Sequence, residues 1–117
     1  MRFKMRWLLR SKIHKATVTD ANVEYIGSLE IDQDLLEKIG LWPGEKVLVS
    51  SLDTGERLET YVISAKRGSG IICMNGAAAH VIKQGEQVII MGFELSDQPI
   101  ESKVILVDEK NQFVRYL

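Results

Sequence analysis

In the stretch EYIGSLEID, residues 24–32, a serine hydroxyl follows a glycine within a pattern that alternates like two short strands. Tyr25 and Ile26 precede Gly27-Ser28, and Leu29 and Ile31 follow with polar Glu30 between them. Gly27 suggests a turn, but the usual turn partners Asn, Asp and Pro do not flank the pair. A serine hydroxyl is a nucleophile once something activates it. The spacing is compatible with a Ser-His-Asp triad, yet nothing around Ser28 resembles a nucleophile elbow. Why a hydroxyl should follow glycine in a strand pattern is left for the rest of the chain to answer.

Other constellations read more simply. LDTGE, residues 52–56, holds the Asp-Thr-Gly triplet of aspartic proteases, where two carboxylates share one proton. Ser50, Ser51 and Glu56 make its surroundings polar, whereas such a site must be buried, so Asp53 and Gly55 read as a hairpin turn. KRGSG, residues 66–70, could form an anion-binding nest of backbone N–H groups. It lacks the Lys-Ser/Thr ending of a phosphate loop and reads as a turn. His14 and His80 lie far apart in a chain with one cysteine and no HExxH pattern, so no metal site is expected. No Gly-x-Gly-x-x-Gly fingerprint is present, which removes the usual dinucleotide reading. Cys73, in GIICMNG, has apolar sequence neighbours and reads as a packed core thiol. NGAAA, residues 75–79, would be an odd hairpin. Its small side chains leave the backbone open to wall a small pocket, and Gly76 permits close approach.

The elements that must position these residues are mostly strands. KIHKATVT reads as a strand, and DQDLLEKIG as a short helix with Asp32 as its cap, Leu35, Leu36 and Ile39 on one face and Gly40 at its end. Pro43-Gly44 turns into KVLVSS, and RLETYVISA, IICM, EQVIIMGF, ESKVILVD and QFVRY continue the pattern. Short strands at such spacing predict a closed barrel or sandwich. GEKVLV at 44–49 and GEQVII at 85–90 repeat one motif, each after a helix-like stretch, DLLEKI and AAAHVI. Two copies predict an internal pseudo-twofold axis.

A chain of 117 residues predicts a single domain, burying roughly 65% of its unfolded surface. Its net charge of −1 provides no global field for nucleic acid or an anionic membrane. The charge is uneven, however: Arg2, Lys4, Arg6, Arg10, Lys12 and Lys15 precede the first acid and read as a solvated basic arm. WLL is too short for a signal-peptide core, and no run reaches membrane-spanning length. One cysteine cannot form an internal disulfide, which fits a reducing cytoplasm.

Taken together, SKIHKATVT, YIGSLEIDQDLL, GERLETYVISAKRGSG and NGAAA, in this order between about Leu8 and Phe93, resemble the pyruvoyl-dependent aspartate 1-decarboxylases. The first seven residues and the tail after Ser96 carry none of the resemblance. It implies a double-psi β-barrel and answers the opening question: the Gly27-Ser28 bond cleaves itself. Ser28 then becomes a covalent pyruvoyl cofactor, leaving chains 1–27 and 28–117, with neither metal nor pyridoxal phosphate. That group would form a Schiff base with L-aspartate and release CO2 and β-alanine, a precursor of pantothenate and coenzyme A.

The resemblance further implies roles for particular residues. Tyr61 would donate a proton after CO2 departs. Thr60 would bind substrate and assist cleavage, and Asn75 would help processing. Gly76, Ala77 and Ala78 would contact substrate, while Lys12 and Arg57 would add positive charge for a dianionic ligand. The expected assembly is a homotetramer in the cytoplasm with sites between subunits, and a maturation factor is a further partner the resemblance leaves open. Thr60 and Tyr61 point to opposite faces of an ideal strand, so one pocket uses both only at a strand end, bend or subunit boundary. The competing reading is a non-enzymatic barrel, a binding or regulatory module in which Gly27-Ser28 is a bulge and the basic arm meets nucleic acid.

Overall fold

The computed structural model describes residues 4–117, so Arg2 lies outside the described residues. The elements run β1 (Arg6–Thr17), β2 (Asp20–Asn22), β3 (Ser28–Asp32), α1 (Gln33–Ile39), β4 (Lys46–Ser51) and β5 (Arg57–Ala65). They continue as β6 (Ile72–Asn75), α2 (Ala78–Val81), β7 (Gln87–Ser96), β8 (Lys103–Val107) and β9 (Phe113–Tyr116). The strands hydrogen-bond in the order β2-β6-β3-β5-β4-β7-β1-β8-β9.

That order is a ring. β1 and β2 are one chain run interrupted only by Val18 and Thr19, so residues 6–22 pair with β7 at one end and β6 at the other. At the junction, the Val18 N–H donates to Glu86 O at 2.9 Å and the Thr19 N–H to Ile72 O at 2.8 Å. Ring closure leaves no exposed edge among β3, β4, β5, β6 and β7. β8 then lies parallel to β1, and β9 pairs with β8 outside the ring.

The sequence repeat is visible as a repeat of hydrogen bonds. Gly44 N–H donates to Val62 O at 2.7 Å and Val62 N–H to Glu45 O at 3.0 Å. In the other half, Gly85 N–H donates to Val18 O at 2.9 Å and Val18 N–H to Glu86 O at 2.9 Å. The Glu45 carboxylate accepts from Trp42 N–H at 2.6 Å, and that of Glu86 from Lys83 N–H at 2.9 Å. Each half thus gives one strand, one turn and one helix, and each turn grips the first strand of the other half. This mainly-β ring with its twofold repeat is the double-psi β-barrel expected from the sequence.

α1 follows its local signals. Asp32 caps it, accepting from Asp34 N–H at 2.8 Å, and Gly40 ends it at φ 67°. Leu35, Leu36 and Ile39 are buried against the core. The N–H groups of Gly68 and Gly70 also converge on the Asp32 carboxylate, at 2.9 and 2.8 Å. The KRGSG nest therefore binds an anion of its own chain.

Two strand expectations need correction. Residues 24–27 form no strand: Tyr25 is 63% and Ile26 85% exposed, and Ser28 is the first residue of β3. The turn signal lies upstream, where Asn22 Oδ1 accepts from Glu24 N–H at 3.0 Å and Asn22 O from Tyr25 N–H at 3.4 Å. The basic arm, from Arg6 onward, is strand rather than a solvated tail, because β7 supplies it with partners from Arg6↔Ser96 to Thr17↔Gln87. Arg10 is held by Glu45 at 2.6 Å and Glu94 at 3.6 Å. A bulge at Lys15, φ 65°, shifts the register between Ile13 and Ala16.

Candidate active site

Ser28 opens β3 directly opposite Asn75, the last residue of β6. The next pair, Leu29 and Met74, is fully buried in the core, so alternation turns Ser28, Glu30, Cys73 and Asn75 to the outer face of the barrel. Asn75 Nδ2 donates to Ser28 Oγ at 3.2 Å and to Glu30 Oε1 at 2.9 Å. The Cys73 thiol donates to Asn75 Oδ1 at 3.4 Å. Ser28 and Asn75 are only 2% and 1% exposed. Cys73 is buried as expected, but its side-chain neighbours are polar. Burial, then the charges of Glu30 and Asp20, push its thiol up to about 11, so it is a poor nucleophile.

Gly27 is exposed and precedes this cluster. Gly76, at φ 69°, lies against it with no space for a Cβ, and its N–H donates to Asn22 O at 2.9 Å. Gly76 O in turn accepts from Ala79 N–H at 3.0 Å, starting the turn of α2. Ala77 is exposed beside it and Ala78 half-buried. The NGAAA segment is therefore a strand end, a glycine contact and a helix start rather than a hairpin.

β5 brings the next candidates. It runs parallel to β3 with Leu29 beside Val62, and one step back Tyr61 stands beside Ser28 on the outer face. Tyr61 is exposed and Thr60 half-buried. Thr60 falls before the β3–β5 pairing, which begins at Leu29 and Val62. Arg57 shares the Tyr61 face but lies four residues away, about 13 Å along the strand. Lys12, half-buried on β1, lies where that strand pairs with β7 and β8, and with neither β3 nor β6. One chain thus gathers Gly27, Ser28, Tyr61, Asn75 and Gly76, and leaves Arg57 and Lys12 apart from them. Grooves of about 490 and 650 Å³ lie elsewhere, one lined by Trp7, Val47 and Phe93 and one by Lys4, Arg6 and Pro99.

Glu30 is the member of the cluster that the sequence reading missed. Its signal was available: it stands two residues after Ser28, which in a strand places it on the same face. The Asp-Thr-Gly triplet, by contrast, is an exposed turn in which Asp53 Oδ2 accepts from Gln87 N–H at 2.7 Å. It is no buried carboxylate pair. Among the described residues, no group of three or more His, Cys, Asp or Glu side chains is arranged to hold a metal ion.

Comparison with known sequences decides the family. The sequence profile of the family described as aspartate decarboxylase matches residues 4–114. The chain belongs to the aspartate decarboxylase family. Its relatives include a Neisseria meningitidis protein named aspartate 1-decarboxylase, 51% identical over 111 residues, which cover 92% of this chain and 87% of that one. Proteins of the same name from Thermotoga sp. and Bacillus subtilis are 50% and 45% identical over 107 and 116 residues. These alignments cover 92% and 96% of this chain, and 94% and 91% of theirs. An aspartate decarboxylase family member with a buried serine directly after an exposed glycine is the frame for its chemistry.

Proposed function

We propose that this protein decarboxylates L-aspartate to β-alanine and CO2, for pantothenate and coenzyme A biosynthesis, after cleaving its own chain between Gly27 and Ser28. The observation that carries this is the placement of the Ser28 hydroxyl. It is buried, held by Asn75 at 3.2 Å, and directly follows the exposed Gly27. Ser28 Oγ adds to the Gly27 carbonyl carbon and the peptide C–N bond breaks, giving an ester. Elimination releases Gly27 as a carboxylate that carries the serine oxygen. Hydrolysis with loss of ammonia then leaves a pyruvoyl group at the head of chain 28–117, with chain 1–27 as the other product.

The surroundings fit such a group. Formed in place, it needs no more room than Ser28 already fills, and Asn75 offers an amide donor within bonding distance of that side chain. The contact of Gly76 with Gly27 keeps the segment narrow where a Cβ would fill it. The group supplies a carbonyl that bonds to the substrate amine and takes up the electrons freed as the carboxylate leaves. Tyr61 holds a phenolic proton beside Ser28 and delivers it to the carbon that lost CO2. Thr60 binds substrate and assists cleavage, and Gly76, Ala77 and Ala78 form the substrate wall. Arg57 and Lys12 bind the carboxylates of a dianionic ligand, Arg57 through its two-pronged guanidinium.

Arg57 and Lys12 reach Ser28 from a neighbouring copy in a homotetramer. The offset of Arg57 from Ser28 along β5 supports this, as do the exposed Trp7, Tyr25 and Ile26, which a monomer would leave in water. A reducing cytoplasm suits the single free thiol. The test is conversion of L-aspartate by purified protein, with β-alanine and CO2 quantified. Wild type should form both in equal amounts and Ser28→Ala neither. A Ser28→Ala protein with undiminished β-alanine formation would contradict the assignment.

A further inference from the structure

We infer that Glu30 is a positioning residue that fixes the Asn75 amide for the chemistry at Ser28, an inference that rests on the self-cleavage proposed above. The two ends of an asparagine amide are nearly equal in shape, so packing alone does not decide which one faces Ser28. The hydrogen-bond partners decide it. Glu30 Oε1 lies 2.9 Å from Asn75 Nδ2, and a carboxylate accepts hydrogen bonds without donating them. On the opposite end, the Cys73 thiol donates to Oδ1 at 3.4 Å. Turning the amide over would set Oδ1 against the carboxylate and the NH2 group against a weakly accepting sulfur.

The strand register makes this arrangement a unit. Ser28 pairs with Asn75 and Glu30 with Cys73 across the β3–β6 ladder, so the four side chains occupy the corners of one square on the outer face. Asn75 reaches its own partner Ser28 and, on the diagonal, Glu30. With one N–H held by Glu30, the other is aimed at Ser28 Oγ. That donor orients the hydroxyl beside Gly27. It matters again at the elimination step, when the same oxygen leaves as part of a carboxylate and a fixed donor stabilises the growing charge. An inverted amide would present a carbonyl oxygen to that charge.

Three substitutions separate positioning from charge and from packing. Glu30→Gln retains an acceptor for Asn75, Glu30→Leu retains only the volume, and Glu30→Ala retains neither. Intact-mass spectrometry follows conversion of each precursor beside wild type. E30Q should mature at a rate close to wild type, while E30L and E30A should slow by about ten- to a hundredfold, the range controlled by one charge-assisted hydrogen bond. A second readout uses the uncleavable Ser28→Ala background, where the Asn75 side-chain amide protons are followed by NMR. Their exchange with solvent should be slow with Glu or Gln at position 30 and about tenfold or more faster with Ala or Leu. Maturation of E30L and E30A at the wild-type rate would overturn the inference, as would E30Q being as slow as E30L. Wild type that never cleaves would remove the self-cleavage reading, and the exchange measurement would still judge whether Glu30 holds the amide.

Discussion

Gly76 is pressed against Gly27: a Cβ on Gly76 would lie 2.6 Å from the Gly27 Cα and 2.8 Å from its nitrogen. Gly76 also has φ 69°, a conformation that side chains with a Cβ rarely adopt. The contact packs Gly27, the residue before Ser28, against the junction of β6 and α2. Gly76→Ala should destabilise the fold by roughly 1–3 kcal/mol through backbone strain and overpacking. It should also lower the cleaved fraction. Thermal melts and denaturing gels check this, and a fully cleaved G76A with wild-type melting would show that the contact is dispensable.

Tyr61→Phe deletes the hydroxyl and keeps the ring, separating making the cofactor from using it. Tyr61 is exposed on the outer face beside Ser28, so losing the hydroxyl disturbs no core packing. The variant should still cleave, and borohydride should still capture aspartate covalently on chain 28–117. β-Alanine formation should fall about 10²–10⁴-fold, the usual worth of a positioned general acid. Near-normal β-alanine formation would mean that another group or water delivers the proton.

The ease of reading these features from sequence followed their range along the chain. Asp32 and Gly40 bound α1 because a helix cap and a left-handed stop are decided within a few residues. The repeat around Gly44 and Gly85 was legible because both copies keep the same turn chemistry. Residues 24–27 misled because Tyr25 and Ile26 alternate like a strand while Asn22, upstream, has already turned the chain. The Ser28–Asn75–Glu30 cluster depends on a pairing across 47 residues, which no local pattern encodes. Cys73 shows the same limit: its sequence neighbours are apolar, yet the register turns its thiol toward Asn75 and Glu30.

Arg57→Ala tests substrate capture. Arg57 forms no part of the Ser28 cluster within one chain, so cleavage should proceed. Aspartate binding should weaken by roughly 1.5–3 kcal/mol, the worth of a charge-assisted hydrogen bond. Steady-state kinetics on fully cleaved protein check this through KM and kcat/KM. Unchanged kinetics would remove Arg57 from the site.

A pH prediction concerns the far side of α1. Arg67 bonds Glu37 at 2.6 and 2.9 Å and Gln33 bonds it at 3.0 Å, and these donors lower the Glu37 carboxyl from 4.5 to about 2. A lowered folded-state value means that the contribution is fully present above pH 4.5 and lost as pH falls through 2. The pair is exposed, so the effect should be small. The melting difference between wild type and Glu37→Gln should be constant above pH 4.5 and shrink toward pH 2. A difference that grows on acidification would reverse the assignment.

Intact-mass spectrometry of the purified protein under denaturing conditions reads the bond between Gly27 and Ser28 itself. The expected result is two chains, 1–27 and 28–117, the longer one lighter by one ammonia than a chain beginning with serine. Ser28→Ala should give a single uncut mass. Wild type that stays one chain while converting L-aspartate to β-alanine would contradict the account, since decarboxylation would then proceed without the group that cleavage at Ser28 creates.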